Sequence, residues 1–307
     1  MSSMTHEIRS PKSTVARWMA STFPQYKAIQ TEFRVSAGPS KVVPGSGVSL
    51  GTQGTAIDWW IRTLIDPAID LRLPILGLRR QNVACQTAAM GLIKLLAGQA
   101  SDGPAVMDAS SHENRDNEWW ARTCYALALL TELVRIPTAT GSRLMQLDRS
   151  SSVDDLLQLA NEDEVMDLIA LHELAKDKLI PQLPAGPVVT GMTFDGSKHL
   201  HADGDLIAGG LLVDFKASQG GKPRADGTRA AQLTPQDLYQ LLGYTLMDYS
   251  DRYEIRAVGI YAARFGYLST WPVDSLLDTM ADRQVELAAV RREFAKVLRD
   301  GFDNGLW

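Results

Sequence analysis

Apolar and polar positions along the first 180 residues recur mostly at helical spacing. In GTAIDWWIRTLIDPAIDLRL, residues 54–73, the apolar positions Ile57, Trp60, Ile61, Leu64 and Ile65 mark one helix face, and Pro67 closes or kinks the run. Helices are likewise predicted over TVARWMASTFPQYKAIQTEF (14–33) and QNVACQTAAMGLIKLLAGQ (81–99), and over Ser152 to Ile180 behind a cap at Ser152. NEWWARTCYALALLTELVR, residues 117–135, is apolar on nearly all sides, which predicts a central, buried helix. The Gly-, Ser- and Pro-rich stretch 36–54 and the segment 100–116 read as loops.

The pattern changes at LPAGP, residues 183–187. Two-residue alternation and β-branched residues predict strands over 187–194, 200–207 and 211–218, separated by DGS and Gly-Gly turns. A polar loop, 219–232, leads to LTPQDLYQLLGYTLMDYS, where Thr234 can cap a helix with Pro235 at its first position. EIRAVGIYAARFGYLSTWPV supplies a further strand or hairpin, and 273–299 reads as one long amphipathic helix. The expected domains are therefore a helical N-terminal region, 1–180, part of which packs on the remainder, and an α/β core over 181–307 with a C-terminal helix.

Composition narrows the reading only a little. The chain has 307 residues, 45% hydrophobic and 22% charged, the balance of an ordinary soluble globular protein of one large or two modest domains. No apolar run is long enough to span a membrane and the N-terminus lacks a signal-peptide core, so a cytoplasmic protein is expected. Cys85 and Cys124 lie far apart in apolar surroundings and read as buried packing residues rather than a disulfide or metal framework. A net charge of -5 argues against a uniformly basic coat, but nucleic-acid binding needs only a local positive patch.

The chemistry concentrates in HADGDLIAGGLLVDFKAS, residues 201–218. A strand, a tight turn and a second strand place Asp205 near Asp214, with Lys216 two residues on and projecting to the same side. Two carboxylates and a lysine suit metal-assisted hydrolysis of a phosphodiester. Asp203 shares the face of Asp205 and either fits the leading position; Asp205 is preferred because it gives the more compact strand, turn and strand spacing. On the following helix Gln240 and Tyr244 stand one turn apart and can point across the sheet. Lys222, Arg224 and Arg229 give the intervening loop excess positive charge, and its glycines predict mobility; contact with a nucleic-acid backbone is expected there.

These residues, in this order, resemble the PD-(D/E)XK nuclease superfamily, in particular its RecB-like exonuclease branch, over roughly Val188 to Val273. The resemblance implies a restriction-endonuclease-like core, a mixed central sheet flanked by helices, and a metal-dependent nuclease of DNA or RNA, with DNA the expected substrate. Asp205 takes the place of the motif aspartate, Asp214, Phe215 and Lys216 that of the D-x-K triplet, and Gln240 to Tyr244 that of the branch's Q-x-x-x-Y signature. Asp205, Asp214 and the main-chain carbonyl of Phe215 would then hold Mg²⁺ or Mn²⁺, with Lys216, Gln240 and Tyr244 as catalytic partners.

The family also carries an upstream helical acid. Glu132, amid apolar neighbours, is preferred for it over Glu173, whose surroundings look more exposed. GTAIDWWIR resembles the branch's GTxxH helix with Asp58 where histidine is usual; the alternative for Asp58 is a structural i, i+4 pair with Arg62. His172 reads as a helix-flank residue, and Trp59, Trp60, Trp119 and Trp120 as core rather than base-stacking groups. No nucleotide loop of a helicase motor occurs in the chain, so a helicase or other repair or defence subunit is an expected partner. The alternative is a nucleic-acid-binding or scaffold subunit that keeps the fold without cleaving.

Overall fold

A computed structural model describes residues 3–81, 83–97, 105–136 and 138–307. The chain forms two compact units: a sheet unit, Met1–Ser40 with Gln182–Lys216 and Gly220–Trp307, and a helical unit, Lys41–Pro181 with Ala217–Gln219. The first forty residues thus belong with the C-terminal part of the chain.

These residues fold as α1 (Met4–Arg9), α2 (Thr14–Thr22) and α3 (Lys27–Ala37). The sequence pattern reads 14–33 as one helix, but Pro24 restricts the residue before it, and Phe23 leaves the helical region at φ −128° and ψ 63°. The break turns Phe23 fully into the core.

The helical unit contains α4 (Leu50–Ile65), β1 (Ala68–Asp70), α5 (Arg72–Arg80), α6 (Gln86–Ala97), β2 (Val106–Asp108), α7 (Asn117–Arg135), α8 (Val153–Leu157) and α9 (Glu162–Lys178). The central helix α7 matches its sequence pattern, with Asp116 capping its start by accepting the Trp119 N–H at 2.8 Å. Its residues from Trp120 to Thr131 are all buried, against α4, α5 and α9. Three expectations need correction. Leu50–Gly54, read as loop, is already the first turn of α4. The run 152–180 is two helices, because Asn161 and Glu164 form a capping box that restarts the chain as α9. β1 and β2 pair antiparallel where helix and loop were expected; three residues each are too few to show a period. Of the predicted helix 81–99 and loop 100–116, positions 82 and 98–104 lie outside the described residues.

In the sheet unit, β3 (Val188–Thr190), β4 (Leu206–Ala208), β5 (Leu211–Lys216), β6 (Ala257–Ala262) and β7 (Tyr267–Pro272) form one five-stranded sheet in that order. Only β5 and β6 are parallel, so the sheet is mixed, and α10 (Pro235–Met247) is carried on the connection between them. β4 and β5 make a two-residue hairpin at Gly209 and Gly210, whose φ of +51° and +80° suit the twist of such turns. The predicted strand 200–207 contracts to the part that this hairpin pairs. The C-terminal run, read as one helix, is α11 (Val273–Ala281) and α12 (Leu287–Asp303), separated at Asp282, which takes the left-handed conformation.

Helix α10 lies at the centre of this unit, and every residue from Leu238 to Met247 is buried. Thr234 and Asp237 form its capping box and Pro235 occupies its first turn. At Gly243 a Cβ would lie 2.0 Å from the Met4 Cε, so α1 approaches this side of α10 closely. Met4, Ile8, Val15, Met19 and Phe23 join the core built on α10, β5 and β6. The chain is thus α/β, with a mixed sheet flanked by helices. Among the described residues no helix is long and apolar enough to cross a membrane.

Candidate active site

Strand β5 outruns its antiparallel neighbour. The β4 ladder ends at Leu206 opposite Val213, whereas Asp214, Phe215 and Lys216 continue alongside Ile260, Tyr261 and Ala262 of β6. Asp205, just before β4 begins, takes up the freed position: its Oδ2 accepts the Phe215 backbone N–H at 2.7 Å. This side chain closes the end of the hairpin and sets a carboxylate beside β5.

Asp214 and Lys216 alternate with Phe215 and so share one face of β5. The Lys216 Nζ lies 2.7 Å from the Asp214 Oδ2 and donates to the Gln240 Oε1 at 3.1 Å. Gln240 uses its Nε2 twice, donating to the Asp214 Oδ1 at 3.1 Å and to the Tyr244 hydroxyl at 2.6 Å. Phe194 stacks on Tyr244, ring centroids 5.3 Å apart, and fixes the plane of the phenol. The helical spacing of Gln240 and Tyr244 and the alternation along β5 together assemble Asp205, Asp214, Lys216, Gln240 and Tyr244 into one group.

The electrostatics follow from burial. Asp214 is 2% exposed, and burial pushes its carboxyl above the ordinary carboxylate value; the Lys216 ammonium opposes the rise, while the Asp205 and Asp237 charges add to it. Burial by itself would lower the Lys216 value, but Asp214, Asp237 and Asp205 outweigh it and hold the amine above its ordinary value, protonated. Burial drives the Tyr244 hydroxyl well above its usual value, helped by the charges of Asp214, Asp205 and Asp203, so it remains a proton donor. Asp203 therefore belongs to the same electrostatic neighbourhood. It is half-buried, bridges Thr193, and has its Oδ1 3.7 Å from the His201 Nδ1.

Asp237 was not singled out by sequence reasoning, yet its Oδ1 lies 3.5 Å from the Lys216 Nζ. The available signal was helical spacing: Asp237, Gln240 and Tyr244 stand at i, i+3 and i+7.

The basic loop differs from expectation. Lys222 and Arg224 are exposed, but Arg229 donates from its Nη1 to the Gly221 carbonyl at 2.9 Å. The loop is laced as a hairpin by Gly221 N–H to the Ala230 carbonyl, 2.8 Å, and Arg224 N–H to the Thr228 carbonyl, 2.7 Å. Gly220 stands at φ +78°, where a Cβ would lie 2.2 Å from the Ala230 oxygen. Gly220 therefore serves close approach, and Gly227, at φ +80° with nothing within 4 Å, serves the turn.

The remaining candidates lie in the helical unit with partners of their own. Glu132 is half-buried on α7, raised by burial, with a hydrogen bond from Thr52 working against the rise. Glu173 is exposed and accepts from the Asn117 Nδ2 at 3.2 Å. Asp58 is gripped at both oxygens by Arg62, at 2.8 and 2.6 Å. His172 stacks on Trp60 at 4.1 Å. Trp59, Trp60 and Trp120 are buried, whereas Trp119 is half-buried and meets Arg115 over its ring. Cys85 and Cys124 are buried free thiols.

Two carboxylates with hard oxygens suit Mg²⁺ or Mn²⁺, and Mg²⁺ commonly takes one or two carboxylates, keeping water elsewhere. Among the described residues no group of three or more His, Cys, Asp and Glu side chains is arranged to hold an ion. The Asp214 Oδ2 is buried, and the Lys216 ammonium lies against it at 2.7 Å. A cation at Asp214 would have to take the place of that ammonium; Asp205, Asp214 and the Phe215 carbonyl are the oxygens that would then hold it, with water completing its shell. Neither a family model nor a curated protein nor a solved structure matches this chain.

Proposed function

We propose that the protein is a metal-dependent nuclease built on a PD-(D/E)XK core of the RecB-like kind, hydrolysing phosphodiester bonds in a nucleic acid, DNA being the expected substrate and RNA the alternative. The observation that carries this reading is the convergence of Asp205, Asp214 and Lys216 from the β4 and β5 hairpin with Gln240 and Tyr244 from α10. An exposed surface would not require a lysine and an amide hydrogen bond to be spent on one buried carboxylate.

Asp205, Asp214 and the Phe215 carbonyl would hold the cation. Bound there, Mg²⁺ or Mn²⁺ supplies Lewis acidity toward the phosphate and a more acidic water. Lys216, kept protonated, places a positive charge beside Asp214 where it neutralises charge developing on a phosphoryl oxygen or orients the attacking water. Gln240 fixes Asp214 and Lys216 relative to each other, since one amide serves both. Tyr244 keeps its proton and accepts from Gln240, steadying that amide. Lys222 and Arg224 are the exposed cations of the neighbouring loop and would meet the nucleic-acid backbone, while Arg229 stiffens the loop through Gly221. A helicase or other repair or defence subunit would supply the substrate.

The assay is cleavage of single-stranded and duplex DNA and RNA with Mg²⁺ or Mn²⁺. Activity that Lys216→Ala abolishes supports the reading; equal background from wild type and variant on every substrate removes it. A second reading, a non-cleaving nucleic-acid-binding subunit of the same fold, draws on the 2.7 Å Asp214–Lys216 pair, which occupies a ligand oxygen. Binding of DNA with no cleavage under either metal would favour it.

A further inference from the structure

Asp237 has a local duty that uses only one of its oxygens. The Oδ2 accepts the Thr234 N–H at 2.8 Å and the Thr234 hydroxyl at 2.6 Å, closing the capping box of α10. A neutral glutamine performs the same service in many such boxes, so the cap needs no charge. The Oδ1 is turned toward the site, 3.5 Å from the Lys216 Nζ. The ammonium therefore has three acceptors within reach: the Asp214 Oδ2, the Gln240 Oε1 and the Asp237 Oδ1, at 2.7, 3.1 and 3.5 Å.

Resting on the nuclease reading, we infer that Asp237 is a positioning residue that holds the Lys216 ammonium on the α10 side of the site when Asp214 exchanges its lysine for a divalent cation. One carboxylate oxygen cannot keep an ammonium at 2.7 Å and also take a divalent ion, because the two cations repel at that range. The lysine must give way. Without a second carboxylate it would stay on Asp214 and compete with the ion, or swing out toward solvent and leave the phosphate. Asp237 is the carboxylate already in reach, anchored by Thr234 so that it does not follow the ion. Gln240, bonded to both Asp214 and Lys216, bridges the exchange.

The test is a double-mutant cycle read as Mn²⁺ affinity by calorimetry on the full chain without nucleic acid. Asp237→Asn keeps an oxygen for the cap and removes the charge. It should weaken Mn²⁺ binding about tenfold in the presence of Lys216 and less than about twofold in a Lys216→Met background, since coupling of this size is expected only between contacting groups. Asp237→Glu should recover most of the loss. Thr234→Ala, which strips the cap and leaves the charge, should keep the affinity within about twofold, and urea unfolding of each variant checks that the fold survives. A wild-type chain that binds no Mn²⁺ overturns the nuclease reading and this inference with it. Mn²⁺ binding that Asp237→Asn leaves intact, or weakens equally in both backgrounds, overturns the inference alone.

Discussion

Each unit of the molecule buries a carboxylate, and the two are treated in opposite ways. Glu164 of the helical unit is fully buried and saturated. It accepts from the Tyr125 hydroxyl at 2.9 Å, from Arg143 at 2.6 and 3.0 Å, and from the backbone N–H groups of Ser49 and Asn161 at 3.1 and 3.0 Å. Its oxygens have little accepting capacity left. Asp214 of the sheet unit is nearly as buried but holds one hydrogen bond, from Gln240, and one ion pair, to Lys216. Glu164 is surrounded by donors, whereas Asp214 depends on one amide and one lysine, and a buried charge with so few partners marks a functional-site candidate.

The largest effect expected from this contrast is on chemistry. Lys216→Ala should lower cleavage by about 10²–10³, the loss typical of a preorganised charge at a developing oxyanion; because it also leaves the Asp214 carboxylate buried without its cation, a fall in urea midpoint is expected alongside. Next in size is stability on the other side of the comparison. Arg143→Met leaves Glu164 buried without its cation and should cost about 3 kcal/mol, the lower end for a broken buried pair because the Arg143 side chain is 30% exposed. By contrast the double replacement Asp214→Leu with Lys216→Met should leave unfolding stability unchanged or higher while abolishing cleavage, since a buried ion pair exchanged for apolar groups is often neutral or stabilising. A double variant as destabilised as Arg143→Met would erase the distinction between the two sites.

Two smaller effects sharpen it. Tyr244→Phe removes the hydroxyl that Gln240 donates to but keeps the Phe194 stack, and should reduce cleavage by about tenfold or less, the worth of one neutral hydrogen bond. His172, stacked on Trp60, has its value lowered by burial, with Lys176 acting the same way and Glu173 opposing. Below the ordinary histidine value the unfolded chain then binds the proton more readily, so His172 contributes stability that falls as pH drops from about 6.5 through the lowered folded value. His172→Phe should flatten that part of a urea-midpoint profile; an unchanged slope would show that the ring is not held neutral.

Much of the site was legible because it is local. The Gly-Gly turn, the alternation of Asp214 and Lys216, and the four-residue spacing of Gln240 and Tyr244 are each set within one element or one hairpin. What escaped was of two kinds. Breaks inside periodic runs, at Phe23, Asn161 and Asp282, leave the hydrophobic period nearly intact on either side, so the pattern alone reads them as continuous. The loop at Gly220 was read from its glycine content alone, which does not record the backbone pairs across it or the close approach of Gly220 to the Ala230 oxygen.

The sequence by itself determined which side chains share a face: the β4 and β5 hairpin through its glycines, and the α10 stripe through helical period. Only the tertiary structure decided that the stripe meets the strand. It also made Asp237 a partner of Lys216 rather than a cap alone, and gave Asp214 one amide and one lysine where Glu164 takes Tyr125, Arg143 and two backbone N–H groups. The physical reason is that periodicity fixes directions within an element, while hydrogen-bond satisfaction depends on the donors that distant elements bring to one buried oxygen. Gln240 and Asp214 are 26 residues apart and Ser49 and Glu164 are 115 apart; no local pattern records such pairs.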